Sequence, residues 1–372
     1  MRSGTRNRSK GLRIATLAHF CPKKLGSLEN RMMEFARLAK QRTHRWTLFS
    51  FKPVHPSVAE ELARAGARWE DLKELEDHPF RAATKLAKNY DVVLLTLIPP
   101  RGRVALAAYG AWPCTVLFKD NYSDPADGSD TSPSFASRIL DRLTMLRVRQ
   151  LAGVSEYVRQ RDQHRFKLKT ERTCVIYNGV DTNRFFPTDH RRPPGRVVNI
   201  ASVGSLIPEK GFHILLESLS IVAAKNWRLR IVGEGPEASR LKRLAVELGV
   251  SEKVEFFGLR DDVEEINRQS EIFVHPCIWQ EAFGYTVVEG MASGCCVLAS
   301  KTGGIPELIE DQRDGLLIEP GNIQLWADAL DNVITNPELR RKLGQTGRER
   351  ALRDFNLQRS VNRELDFFEG LL

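Results

Sequence analysis

The strongest constraint on the fold of this chain is an alternation that runs through it twice. Short runs of Val, Ile, Leu and Phe are separated by longer stretches whose apolar residues recur at helical spacing, the pattern of βα units feeding a parallel sheet. In the first half the runs fall at residues 12–18, 46–51, 91–97, 115–118 and 174–177, and in the second at 197–203, 228–232, 254–257, 272–275, 296–299 and 315–318. Helices are predicted between them, most clearly at 27–40, where Leu28, Met32, Phe35 and Leu38 share one face, and at 155–166. Three more close the chain, at 324–335, 337–354 and 357–368.

The turn-forming Asn178-Gly179-Val180-Asp181 and the polar residues 188–195, flanked and interrupted by Pro187, Pro193 and Pro194, break the alternation. A chain of 372 residues is also longer than one core usually organises. We therefore expect an α/β protein of two doubly wound, Rossmann-like domains facing each other across a cleft, residues 1–190 and 191–372, with C-terminal helices. The final helix, about 357–372, is placed to pack back on the first domain.

Apolar residues at 42% and charged residues at 28% are those of a soluble globular protein. The longest apolar run, 92–98, is too short to cross a bilayer, and the basic, polar start from Met1 to Lys10 does not read as a secretory signal. The six cysteines lack ligand or disulfide spacing, and the eight histidines stand apart, read as ordinary core or surface residues. No metal or cofactor is expected, and the compartment is expected to be cytoplasmic. Residues 1–190 carry 33 Lys and Arg against 20 Asp and Glu, whereas the remainder carries 23 against 27. The basic end suits peripheral contact with an anionic membrane face, or is simply a solvated basic surface with a disordered tail. No run interleaves basic residues with stacking aromatics, so nucleic acid is not an expected partner.

The chemistry concentrates between Gln280 and Gly294. Gly284 permits close backbone approach, and a helix starting there would direct free N–H groups at an anion. Glu281 lies before that helix and Glu289 within it. Carboxylates beside a phosphate cradle suit the hydroxyls of a sugar and a ribose, since they accept hydrogen bonds.

Here the chain resembles a known family. Glu281, Phe283, Gly284, Glu289, Met291, Ala292 and Gly294 reproduce a frame similar to that of the family 4 retaining glycosyltransferases (group 1) of GT-B fold. Further matches follow the family order: Gly204 with Pro208, Lys210 and Gly211; Gly233 to Pro236; Phe257-Gly258; Thr302 to Glu307; and Asn178 to Asp181. The resemblance is strong over residues 150–350 and weaker before them, through Gly26 to Glu29 and the strand order.

The resemblance implies a metal-independent hexosyltransferase-type enzyme of polysaccharide or glycoconjugate synthesis, moving a sugar from a nucleotide diphosphate donor with retention of configuration. The leaving phosphate would assist by taking the acceptor proton. Glu281 would hold sugar hydroxyls, Glu289 the ribose and Lys210 the diphosphate. Gly204 and Ser205 with Phe283 would line the donor site, the backbone from Gly258 to Arg260 would read the base, and the Gly284 and Tyr285 amides would hold the departing phosphate beside Gly303 and Gly304. Gly26, Lys119 and Asp120 would lie on the acceptor side. The acceptor, a lipid carrier, a polysaccharide or a small molecule, would be selected by loops at 21–29, 97–103 and 120–134.

Two departures bear on activity. Ser205 stands where the family commonly has Arg, and Lys119 where it commonly has His. Loss of the Arg removes a cation worth on the order of 2 to 4 kcal/mol to the leaving diphosphate unless Lys119, Lys301 or Arg260 replaces it. These departures motivate two other readings, a catalytically impaired binding or scaffold subunit and a nucleotide-sugar epimerase of the same fold.

Overall fold

The computed structural model describes residues 11–21, 26–98, 102–121, 135–188 and 197–371. The basic tail and most of the expected acceptor loops lie outside these residues. Among the described residues thirteen strands form two wholly parallel sheets. The first contains β1 (Arg13–Ala18), β2 (Arg45–Ser50), β3 (Arg68–Asp71), β4 (Val92–Thr96), β5 (Thr115–Asp120), β6 (Val148–Gly153) and β7 (Thr173–Val175), in the order β3-β2-β1-β4-β5-β6-β7. The second contains β8 (Val198–Val203), β9 (Trp227–Val232), β10 (Val254–Gly258), β11 (Ile272–His275), β12 (Cys296–Ser300) and β13 (Leu316–Ile318), in the order β10-β9-β8-β11-β12-β13. In each sheet the strand order reverses beside the first strand, the topological switch at which doubly wound folds bind ligands outside the carboxyl ends of the strands.

Two strands escaped the sequence reading. β3 is an edge strand reading Arg-Trp-Glu-Asp, and its charges blunt an edge rather than announce a strand. β6 sits between β5 and β7, but Arg149 and Gln150 break its apolar run.

The helices bury the sheets' two faces. Val198, Ile200, Leu215, Leu229 and Trp326 belong to one core of the second sheet, while Ile14, Met32, Phe35 and Trp46 belong to a core on the first. That second cluster also takes in Leu357, Val361, Leu365 and Phe368 of the C-terminal helix Leu357–Gly370, so the end of the chain is packed on the first sheet. Polar contacts reinforce the docking. Arg31 donates to Ser360 Oγ at 2.9 Å and is ion-paired with Glu364, and Lys119 Nζ donates to the same carboxylate at 3.0 Å.

The chain thus crosses between sheets twice, and the two crossings lie side by side. Val180 N donates to Phe355 O and Leu357 N to Val180 O, both at 2.9 Å. Gly179 fits because a Cβ there would stand 2.7 Å from Leu357 Cα. A third tie comes from Glu307, whose carboxylate accepts from Glu156 N at 2.7 Å, Tyr157 N at 2.8 Å and the Tyr177 hydroxyl at 2.8 Å. It caps helix Glu156–Phe166 of the first sheet, where a carboxylate is favoured by the free N–H groups and the helix dipole.

Candidate active site

A cavity of about 270 Å³ opens where the two sheets' carboxyl ends meet. Each part of its wall follows a strand end. Asn121 follows β5, Val154 follows β6, Val203 and Gly204 close β8, and His275 closes β11. Asn178 comes from the first crossing, Ser205 and Lys210 from the loop after β8, and Glu281 to Thr286 from the loop and helix after β11.

Helix Tyr285–Ala292 starts at Gly284, whose φ of 93° favours glycine and whose Cβ, if present, would stand 2.4 Å from Ile305 Cδ1. Its first N–H groups have no intrahelical acceptors and carry the positive end of the helix dipole. Tyr285 and Thr286, at that start, are both in the cavity wall. Phe283 is buried and meets Tyr285 edge-on with centroids 5.4 Å apart, which fixes the turn into the helix.

The Glu281 carboxylate is 8% exposed and is ion-paired with Lys210 Nζ. Burial pulls the Lys210 pKa down, but the Glu281 carboxylate more than offsets this and the net shift is upward, so the ammonium stays charged. His275 Nε2 and Cys277 Sγ approach the same Glu281 oxygen at 3.7 and 3.8 Å. Burial lowers the His275 pKa to about 4 and raises that of Cys277 to about 12, so a neutral imidazole and an un-ionised thiol back the carboxylate.

The reading of every histidine as isolated is therefore corrected at His275. Its ligand atom and those of Cys277 and Glu281 lie within 4.8 Å of one another, brought together by the turn after β11 that the sequence does not reveal. The cation that this carboxylate meets is the Lys210 ammonium.

Gly303 and Gly304 support the site from behind rather than lining the cavity. Gly304 N donates to Glu281 O at 2.7 Å and Gly303 N to Gln280 Oε1 at 2.8 Å. Gly303 has a φ of 55°, and a Cβ there would stand 2.2 Å from Glu281 O. Glu289 lies one turn along its helix, outside the cavity wall, at the seam between the sheets, where its carboxylate accepts from Ser27 Oγ. Ser27 begins helix Ser27–Gln41, and Gly26 N just before it donates to Glu29 Oε2 at 3.0 Å.

The remaining expected residues lie elsewhere. Lys119 is 3% exposed and held by Glu364, and Asp120 is buried and accepts from Arg161 at 2.7 Å. Arg260 is paired with Asp262 at the surface beyond β10, and Lys301 is exposed after β12. None of these cations is in the cavity wall, where Lys210 is the basic residue among those described. Gly258 also lies outside the wall, but backbone hydrogen bonds run from Gly204 N to Val232 O and from Gly233 N to Gly258 O, a continuous floor across three strand ends.

Asn121, Asn178 and His275 were not assigned roles from the sequence, although all sit where strand ends or crossings meet. The rule that ligands bind beyond the carboxyl ends of parallel strands would have marked Asn121 and His275. Three lining residues carry buried polar atoms with no hydrogen-bond partner among the described residues: His275 Nε2, Asn178 Oδ1 and the Tyr285 hydroxyl. Buried polar groups are rarely left unpaired, which sets these three lining residues apart.

Two Rossmann-like units with such a cavity between their strand ends have the GT-B fold. Residues 189–350 match the family described as Glycosyl transferases group 1, and residues 28–184 match Glycosyltransferase Family 4; the chain belongs to these group 1, family 4 glycosyltransferases. It is 29% identical over 244 residues to the D-inositol 3-phosphate glycosyltransferase of Corynebacterium glutamicum, a match covering 60% of this chain and 58% of that protein. The chain spans roughly half to three-fifths of the length of the first curated relatives it matches. Among solved structures, a glycosyltransferase from Rickettsia africae superposes with a TM-score of 0.78 at 22% identity, covering 98% of this chain and 99% of that one. Anabaena HepE, solved in complex with UDP and glucose, superposes with a TM-score of 0.78 at 20% identity, covering 96% of this chain and 100% of its own.

Proposed function

We propose that this protein transfers a sugar from a nucleoside diphosphate sugar to an acceptor hydroxyl, with retention of anomeric configuration and without a metal ion. One observation carries the reading. A charged Lys210, a buried Glu281 and the start of helix Tyr285–Ala292 share one cavity wall with His275, Asn178 and Tyr285, each of which carries an unpartnered polar atom. A cation beside a helix start suits a diphosphate, and acceptor atoms around it suit a ring of hydroxyls. The UDP and glucose of the HepE structures make the same class of ligand the natural first candidate here.

In this reading the Lys210 ammonium turns from Glu281 to the diphosphate, and the freed carboxylate accepts hydrogen bonds from sugar hydroxyls. Neutral His275 offers Nε2 to another hydroxyl. The base lies over the floor toward Gly258 and Arg260, and Glu289 takes the ribose hydroxyls in place of Ser27. The bond between the anomeric carbon and the phosphate oxygen breaks, the acceptor oxygen bonds to that carbon from the same face, and its proton passes to the leaving phosphate. Positive charge aimed at that phosphate lowers the barrier because it acts where negative charge develops. Donor binding would draw the units together about the paired crossings at Val180 and Asn356.

The burial of Lys119 against Glu364 favours one second reading, an impaired binding subunit, because this cation is not free to replace the one missing at Ser205. Incubation with a panel of nucleotide sugars, scored for thermal stabilisation and then for donor hydrolysis or transfer, separates the two. Stabilisation with hydrolysis supports the transferase, stabilisation alone supports the binding subunit, and no response to any nucleotide sugar contradicts both.

A further inference from the structure

The helix Phe135–Met145, between β5 and β6, turns Ile139, Leu140 and Leu143 to the surface. Its inward positions carry Met145, which joins the core, together with Asp141, 1% exposed and facing Arg165 at 3.5 Å, and Thr144, hydrogen-bonded to Asp141 O at 2.8 Å. Its outward row is Ile139, Arg142, Leu143 and, one turn on, Leu146, with Leu143 at 55% and Leu146 at 70% exposure. An ordinary surface helix keeps a row of large apolar residues like this one on its inward side.

The surface beside it has the same character. Trp112 is 73% exposed and the Arg147 guanidinium lies over its ring, 5.0 Å from the centroid. Arg147 also donates to Tyr109 O at 2.9 Å, which ties this pair to helix Arg103–Gly110. That helix in turn exposes Leu106 beside Arg103. Arg142 and Arg149 are exposed, and Asp141, which points inward, is the one carboxylate in the sequence from 135 to 149.

We propose that this face docks the protein on an anionic lipid bilayer. A row of Leu and Ile with Trp at its margin inserts at the level where headgroups meet acyl chains, and the arginines meet lipid phosphates. The charge pattern decides between occupants. Two copies of this chain meeting through a two-fold axis would set the patch against itself, arginine against arginine with no outward carboxylate on the helix to compensate. An anionic membrane offers both the apolar depth and the opposite charge. The proposal is separate from the donor site and stands whether or not the assignment of transfer is right.

Flotation of the full-length protein with vesicles tests it, using phosphatidylcholine alone and phosphatidylcholine with phosphatidylglycerol. Binding to the anionic vesicles is expected, weakening with salt, and it should fall roughly tenfold or more in Leu143→Ser/Leu146→Ser and in Arg142→Gln/Arg149→Gln. All four positions but Leu146 lie on helix or strand surfaces already exposed, and each variant's melting temperature and nucleotide response should match the parent. Absence of binding by the parent overturns the proposal. So does binding that survives both double substitutions but is lost on removal of Met1 to Lys10, which would assign it to the basic tail. Dimerisation in solution that Leu143→Ser/Leu146→Ser abolishes, without vesicle binding, would overturn it in favour of a second copy.

Discussion

The hydroxyl of Ser27 donates to the carboxylate of Glu289, a contact between residues 262 positions apart that joins the two sheets beside the cavity. If Glu289 holds the ribose, this bond is broken whenever donor is bound, and the two residues should respond differently to substitution. Glu289→Ala is expected to lower kcat/KM for transfer roughly tenfold to a hundredfold, since a hydrogen bond to a charged group is worth about 1.5 to 3 kcal/mol. Ser27→Ala should lower stability by about 1 kcal/mol and, because that bond no longer has to be broken, tighten nucleotide binding roughly fivefold. Steady-state kinetics beside thermal melts separate the two, and unchanged transfer by Glu289→Ala would remove it from the site.

Gly303 supports Glu281 through its backbone, and an alanine there would meet Glu281 O at 2.2 Å in a left-handed conformation. Gly321, with φ 76° and open space around it, provides the control. Gly321→Ala should cost about 1 to 2 kcal/mol, the left-handed strain alone. Gly303→Ala should cost roughly 3 kcal/mol or more and reduce transfer even in protein that remains folded. Chemical denaturation gives the stabilities, and equal costs at the two positions would contradict the backing role.

Burial holds His275 neutral, with its pKa lowered from 6.5 to about 4. The unfolded chain takes up this proton near 6.5 and the folded chain only near 4, so the contribution to stability is complete above 6.5 and is lost as pH falls toward 4. The gap amounts to on the order of 3 kcal/mol. Melting temperature should fall more steeply over that window in the parent than in His275→Asn, and parallel curves would contradict the assignment.

The proposed absence of a metal ion from the reaction makes a direct prediction. Prolonged chelation followed by assay in metal-free buffer should leave transfer unchanged, because Lys210 supplies the positive charge beside Glu281. Activity lost on chelation and restored by one divalent ion would instead implicate the cluster of His275, Cys277 and Glu281.

The alternation of apolar runs and helical stretches made the α/β architecture legible, because buried parallel strands need continuous apolar sequence and their crossovers need helices. Strands with polar interruptions were not legible: β3 and β6 are recognised by their neighbours, not their composition. The same limit applies to the site. Glu281 could be singled out beside a glycine-started helix and Lys210 through the family resemblance, whereas the approach of His275 and Cys277 to Glu281 depends on the turn after β11. Lys119 shows the converse. Its place where the family commonly has His suggested a site residue, but the pairing with Glu364 depends on where the last helix docks, 245 positions away.

Lys210 bears the central claim, that its ammonium and the Glu281 carboxylate face one pocket for a nucleoside diphosphate sugar. Calorimetric titration of UDP, GDP and ADP into the parent, Lys210→Met and Glu281→Gln tests it most directly. At least one nucleotide should bind the parent, and Lys210→Met should weaken it roughly tenfold or more through the lost charge-assisted contact, while Glu281→Gln, which touches the sugar rather than the diphosphate, should retain it. Binding of that nucleotide to Lys210→Met with undiminished affinity, or no binding of any of the three to the parent, would contradict the account.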